Sequence, residues 1–376
     1  MRLLLGESKK EAYSVEAQME IINSFPEPRD AIERSFFQYV CQRKRYASLA
    51  YRALCLSVGL VAFFPLAYFA FLKREDKEPR EDSPRHVQAV FLGQPDMLDR
   101  LPNSLKDTYG QIDASMQYGM SMTTRERQLI RAIWARRPLN FLFVLKCAMK
   151  IMAYCDIIDK TNVRAIIVTS EDSYTSSVLT HYCRMRSVRH INIMHGEMVY
   201  GLARTFFCFD ECFVWDEYYE TLCLRMRADP AQFTIGIPEG LLYHNCTPAV
   251  IGATYYFQNQ TREQMIVVKE ALERLGVSYR VRPHPIFTNM DNLNSVFGEE
   301  TIEDYGQVSI EQSIMRSKML IAKNSTVLFQ GYINKRRVVI DDVSDPCSFS
   351  RMRESGYIMA NKCECARLSD ILACSG

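Results

Sequence analysis

Short apolar runs that alternate with amphipathic stretches constrain this chain more than any other feature. Residues 87–92 (VQAVFL), 164–169 (RAIIVT), 190–194 (HINIM), 212–215 and 233–237 are the first set. Runs this short, apolar on successive residues, read as strands buried on both faces of a parallel sheet. A helical stretch, 176–186, lies between two of them, and in 216–227 the side chains of Tyr219, Leu222 and Met226 share one helical face. Strands and helices alternating at this spacing predict βαβ units.

A second series begins at Ala249. The run 249–257 leads into Thr261-Arg262-Glu263-Gln264, a capping box whose first and last residues satisfy each other's ends of a helix start. Val268, Ala271, Leu272 and Leu275 carry the apolar stripe of that helix, and Gly276 supplies its stop. The strand 277–282 follows. Ser309-Ile310-Glu311-Gln312 repeats the capping-box pattern ahead of strand 319–322, a helix after Ser325 and strand 337–341. A chain of 376 residues exceeds one hydrophobic core. The expected fold is therefore α/β with two Rossmann-like domains, at 87–247 and 248–376.

An appendage precedes them. Residues 53–72, ALCLSVGLVAFFPLAYFAFL, contain no charge, and as a helix they would reach roughly 30 Å, the thickness of a bilayer core. A hydrophobic, membrane-associated N-terminal helix is expected there, either transmembrane or, because Pro65 interrupts it, monotopic; the bland alternative is a buried core helix. Basic residues flank both ends (Arg43, Lys44, Arg45 and Arg52, then Lys73 and Arg74), so charge sets no orientation. The expected location is the cytoplasmic face of the cell membrane. Residues 1–52 form a helical segment in front, and 73–86 (KREDKEPREDSPRH) read as a charged linker.

Lys and Arg total 46 against 44 Asp and Glu, a net charge of +2, which argues against nucleic acid as a partner. The thirteen cysteines are scattered, without paired CxxC spacing, and read as reduced thiols. Cys363 and Cys365 lack a second pair or a nearby histidine, so no metal is expected.

Candidate chemistry gathers where strands stop, the place where open α/β sheets bind ligands. His195, in Met194-His195-Gly196-Glu197, suits a general base near neutral pH, with Glu197 to orient it or share the work. The bland alternative is a hydrogen-bonded strand-end histidine. Glu171 and Asp172, which close the preceding strand, are acceptor-side candidates, although a solvated loop explains them too. Arg282 and His284, in Arg282-Pro283-His284-Pro285, suit a phosphate, with two prolines stiffening the turn. Ser325 and Thr326 open a helix whose free N–H groups favour negative charge, as ordinary N-caps also do.

In order, the segments containing HG, FVWDEYYETL, FTIGIPEG, RVRPHP and MLIAKNSTVLFQGYINKRRVVIDD resemble the glycosyltransferase B (GT-B) fold of bacterial surface and capsular polysaccharide enzymes. The likeness is to the CDP-glycerol glycerophosphotransferase-like and sialyl- and Kdo-transferase-like groups, and covers residues 87–342. It implies a transferase moving a sugar or polyol phosphate from a nucleotide-activated, cytidine-linked donor to a glycan or lipid-linked acceptor. The donor is a substrate and no cofactor is implied. The resemblance places the base on His195 and the donor's phosphates on His284, Ser325 and Thr326. Family members often carry acidic residues where this chain has Lys323 or Asn324 and Gln330, which touches ribose or base recognition. Two other readings compete: a sugar-nucleotide 2-epimerase of the same plan, and an inactive membrane-anchored glycan-assembly subunit.

Overall fold

The computed structural model describes residues 14–44, 49–73, 87–244, 248–362 and 365–374. Residues 74–86, most of the expected linker, and Cys363 lie outside the described residues. The chain divides into two units: Met1–His195 with Tyr200–Pro238, and Gly196–Val199 with Glu239–Gly376.

The first unit is built on β1 (Ala89–Leu92), β2 (Ile112–Asp113), β3 (Ala165–Val168), β4 (Arg189–Ile193), β5 (Glu211–Val214) and β6 (Phe233–Ile235). They form one parallel sheet in the order β2-β1-β3-β4-β5-β6. All four residues of β3 are buried, which explains why this strand reads as a continuous apolar run and not as an alternation. The second unit contains β7 (Ile251–Tyr256), β8 (Tyr279–Arg282), β9 (Ser317–Ala322), β10 (Arg337–Ile340) and β11 (Ala366–Arg367), also all parallel, in the order β11-β10-β9-β7-β8. In both sheets the second strand lies outside the first and the third lies on its other side. The order therefore reverses between β1 and β3 in one sheet and between β7 and β9 in the other, which creates a crevice at the carboxyl end of each sheet.

Both capping boxes are formed. Gln264 donates its N–H to the Thr261 hydroxyl at 3.4 Å while its side-chain carbonyl accepts the Thr261 N–H at 3.1 Å. Ser309 and Gln312 do the same at 3.1 and 3.0 Å. Gly276, past the end of the first of these helices, has a φ of +64°, the left-handed region that glycine enters without a Cβ penalty. Gly331 serves packing instead. A Cβ there would lie 2.2 Å from Leu320 Cδ1 on β9 and 3.2 Å from Val338 Cγ1 on β10. Gly331→Ala should destabilise the second unit by about 1–3 kcal/mol, the usual cost of overpacking a core, visible as a lower melting temperature.

The apolar run at 53–72 does not stand apart from the first unit. It forms the helix Leu49–Ala67 and continues as a π-helical turn, Tyr68–Leu72. It packs along the helix Phe141–Thr161, with Ala62, Leu66 and Ala70 buried. Phe63 meets the Phe141 ring at 5.3 Å, and the Arg131 guanidinium lies 4.9 Å over Phe71 while its Nε donates to the Ala70 carbonyl at 2.9 Å. Among the described residues no helix is long and apolar enough to cross a membrane, so the transmembrane form of the expectation is not supported. The physical reason is visible in these contacts, because one face of the run is used as protein core. Its other face remains apolar: Leu60, Val61, Phe64, Phe71 and Leu72 are each more than half exposed.

Candidate active site

His195 follows β4, and Glu171 follows β3 at the crevice between β1 and β3. They meet: the His195 Nδ1 to Glu171 Oε1 distance is 2.6 Å. Glu171 is buried, whereas the His195 side chain is 37% exposed, so one end of the pair is fixed and the other is open. Asn192, on β4, donates to the second oxygen of Glu171 at 3.3 Å and accepts the Ser170 N–H at 2.7 Å, which holds the loop in register with the strand. Arg100 donates to the His195 carbonyl.

These contacts fix the imidazole chemically. A carboxylate can only accept, so Nδ1 carries the proton and Nε2 keeps its lone pair. The hydrogen bond to Glu171 raises the His195 pKa above its ordinary value despite partial burial. For Glu171, burial pushes upward, but the His195 hydrogen bond and the charges of His195 and Arg204 bring the carboxyl below its ordinary value. An oriented imidazole with a free Nε2 is the arrangement of a general base. The other histidine of this sheet is different: His190 is fully buried between the Tyr154 and Thr180 hydroxyls at 3.1 and 2.8 Å, and burial pushes its pKa down to about 3. It is neutral core.

The carboxylate that meets His195 is thus Glu171, not Glu197, the sequence-based choice. The Glu197 N–H instead goes to Thr326 Oγ1 at 3.3 Å, within the second unit. Asp172 is exposed, and its carbonyl accepts from Gln42 Nε2 at 2.6 Å.

In the second unit, Ser325 is the N-cap of the helix Thr326–Ile333, accepting the Val327 N–H at 3.2 Å. The Tyr357 hydroxyl fixes this cap, contacting both the N–H and the carbonyl of Ser325 at 3.1 Å. The helix opens directly after β9, at the crevice between β7 and β9. His284 follows β8, and its ring is ordered from its own loop: Nδ1 accepts the N–H groups of Ile286 and Phe287 at 3.1 and 3.4 Å, and the Phe287 ring stacks at 4.5 Å. Two donors on Nδ1 leave the proton on Nε2, so the neutral His284 ring carries an N–H there. Partial burial lowers its pKa. The two histidines therefore have opposite tautomers, one a base and the other a donor.

Arg282 stands elsewhere than the sequence suggested. It is buried, with one guanidinium nitrogen 3.1 Å from Glu303 Oε2 and another donating to the Val308 carbonyl at 2.9 Å. Glu303 also accepts from Ser313 at 2.6 Å. Because β8 delivers Arg282 beneath the following segment, its charge is neutralised inside the unit and is not offered at the loop. Gln330 is buried, and Lys323 pairs with Asp345 at 2.9 Å. Among the described residues no group of three or more His, Cys, Asp or Glu side chains converges as a metal site.

Residues absent from the sequence-based set are Asn192, Gln38, Gln42 and Arg204, which hold or face the Glu171 loop from other parts of the chain. No local motif marks them.

No family model and no curated protein matches this chain. Among solved structures it is similar to a putative UDP-N-acetylglucosamine 2-epimerase from Listeria monocytogenes, with 12% identity, TM-score 0.43, and 69% of this chain and 80% of that one covered. It is also similar to the wall teichoic acid polymerase TagF soaked with CDPG (11% identity, TM-score 0.37, 77% and 78% covered). A third similarity is to the calicheamicin glycosyltransferase CalG4 (9% identity, TM-score 0.38, 72% and 82% covered).

Proposed function

We propose that this chain is a glycosyltransferase or polyol-phosphate transferase that moves its group from a nucleotide-activated, cytidine-linked donor to a hydroxyl of a glycan or lipid-linked acceptor in surface-polysaccharide synthesis. The observation that carries the reading is the His195–Glu171 pair, an imidazole oriented by a buried carboxylate with its Nε2 open at a strand end. His195 takes the acceptor's hydroxyl proton through Nε2. Glu171 stabilises the imidazolium that forms, so the proton transfer does not leave an isolated charge. The donor's phosphates are held by the Nε2–H of His284 and by the helix start at Ser325 and Thr326, where free N–H groups and the helix dipole favour anions. These fixed dipoles would also offset charge on the leaving nucleotide.

The exposed apolar face of the helix Leu49–Ala67 and its π-helical extension supports attachment to the cytoplasmic surface of a membrane, with the helix lying on the bilayer and not crossing it.

Thermal melts with CMP, CDP, UDP and GDP test the donor. Cytidine nucleotides should stabilise the protein by about 2–3 kcal/mol at a hundredfold excess over Kd. Stabilisation by UDP or GDP alone would replace the cytidine assignment, and stabilisation by none would overturn the transferase reading. His284→Ala should weaken nucleotide binding about 10- to 100-fold, the loss of one hydrogen bond to a charged group, measured by calorimetry.

A further inference from the structure

We propose that Arg204 is the anion-binding residue of the acceptor subsite, taking an oxyanion of the acceptor beside the hydroxyl that His195 deprotonates. Three observations converge on it. The first is placement. The helix Ala31–Lys44 clamps two segments together through paired amides: Gln38 Nε2 donates to the carbonyls of Glu171 at 3.0 Å and Ala203 at 3.1 Å. Gln42 Nε2 donates to those of Asp172 at 2.6 Å and Ala203 at 2.8 Å. The turn Leu202–Arg204 is thereby fixed against the loop that carries the base's carboxylate.

The second is charge. Arg204 acts on both members of the pair, favouring ionised Glu171 and opposing protonation of His195. The chief charged groups acting on His195 are Glu171, Asp172 and Arg204.

The third is an unmet need. Arg204 Nε is buried without a hydrogen-bond partner, and the side chain makes no ion pair among the described residues. Arg127 and Arg137 of this unit also bury an unpartnered Nε, but each engages its guanidinium through another nitrogen, Arg127 with the Lys73 carbonyl and Arg137 with Glu33 at 3.5 Å, and Arg227 donates to the carbonyls of Ile22, Phe25 and Pro26 and pairs with Glu27 at 2.6 Å. Proteins seldom bury an unpartnered guanidinium N–H, because the lost hydration is not replaced. A planar donor fork left open on a turn that is tied to the Glu171 loop suits a phosphate or carboxylate of the molecule being deprotonated.

The inference relies on the transferase reading only for the word acceptor, and its test needs no turnover. The His195 ring signals of the full chain, assigned by their loss in His195→Ala, are followed by NMR across pH with glycerol phosphate, glycerate or uncharged glycerol added. In the native protein either anion should raise the His195 pKa saturably, by neutralising Arg204, while glycerol should not. Arg204→Gln should raise the His195 pKa without ligand and weaken the anion response about 10- to 100-fold. Arg204→Lys, which keeps the charge, should retain a weaker response and serves if the glutamine variant does not fold. A native protein indifferent to both anions, or a glutamine variant that responds as strongly as the native one, overturns the proposal. If anions bind at Arg204 yet no nucleotide stabilises the chain, the transferase reading fails and this site stands.

Discussion

His195→Ala should lower turnover by about 100- to 10,000-fold, the contribution of a positioned general base, while leaving nucleotide-induced stabilisation intact. The separation is the informative part, because His195 and the groups proposed to hold the donor, His284, Ser325 and Thr326, belong to different units. Loss of nucleotide binding in this variant would reverse the roles assigned to the two histidines. The pH profile sharpens the test. The hydrogen bond that His195 donates to Glu171 raises the His195 pKa, and only the neutral imidazole can act as a base. Activity should therefore rise with pH through a midpoint above the ordinary histidine value of about 6.5. Glu171→Gln removes the carboxylate, so the acidic limb should move to lower pH while the maximal rate falls, since the amide can no longer stabilise the imidazolium. The same pairing gives a stability signature. For His195, whose folded pKa is raised, the contribution is complete below the unfolded pKa and is lost as pH rises through the folded value. For Glu171, whose folded pKa is lowered, the contribution is present above the unfolded pKa and is lost as pH falls through the folded one. An unchanged acidic limb in Glu171→Gln would show that the pair does not govern the reaction.

Arg282→Ala should destabilise the second unit by about 3–5 kcal/mol, because it leaves Glu303 as an uncompensated charge in a buried network with Ser313. Urea unfolding measures this directly. At temperatures where the variant is folded, nucleotide affinity should be nearly native, which separates a structural ion pair from a phosphate contact. Replacing both partners together, Arg282→Met with Glu303→Met, should recover most of the loss, since a well-packed apolar pair avoids the desolvation that the ion pair must offset. A stable Arg282→Ala protein that has lost donor binding would restore the role suggested by the sequence.

The two α/β halves were legible because buried parallel strands need continuous apolar runs, and capped helices need particular side chains at particular positions. VQAVFL and RAIIVT fall on β1 and β3, and both capping boxes form as written. The shortest strands were not legible. β2 and β11 contain two residues each at sheet edges, too few to show any period. The apolar run at 53–72 shows the limit of hydropathy, because length and apolarity do not distinguish a helix in lipid from one that half-buries itself on a neighbour.

The site divides in the same way. The sequence by itself determined which residues stand at strand ends, because strand, turn and helix start are local: His195, His284 and Ser325 all lie where a parallel strand gives way to the next element. Only the tertiary structure decided their partners. It brought Glu171 to His195 across 24 residues, placed Arg282 in an internal ion pair, and used two glutamines more than a hundred residues upstream to tie the Leu202–Arg204 turn to the Glu171 loop. A side chain's backbone neighbours set where it starts, whereas its charge state and hydrogen bonds depend on groups that only packing brings within 3 Å.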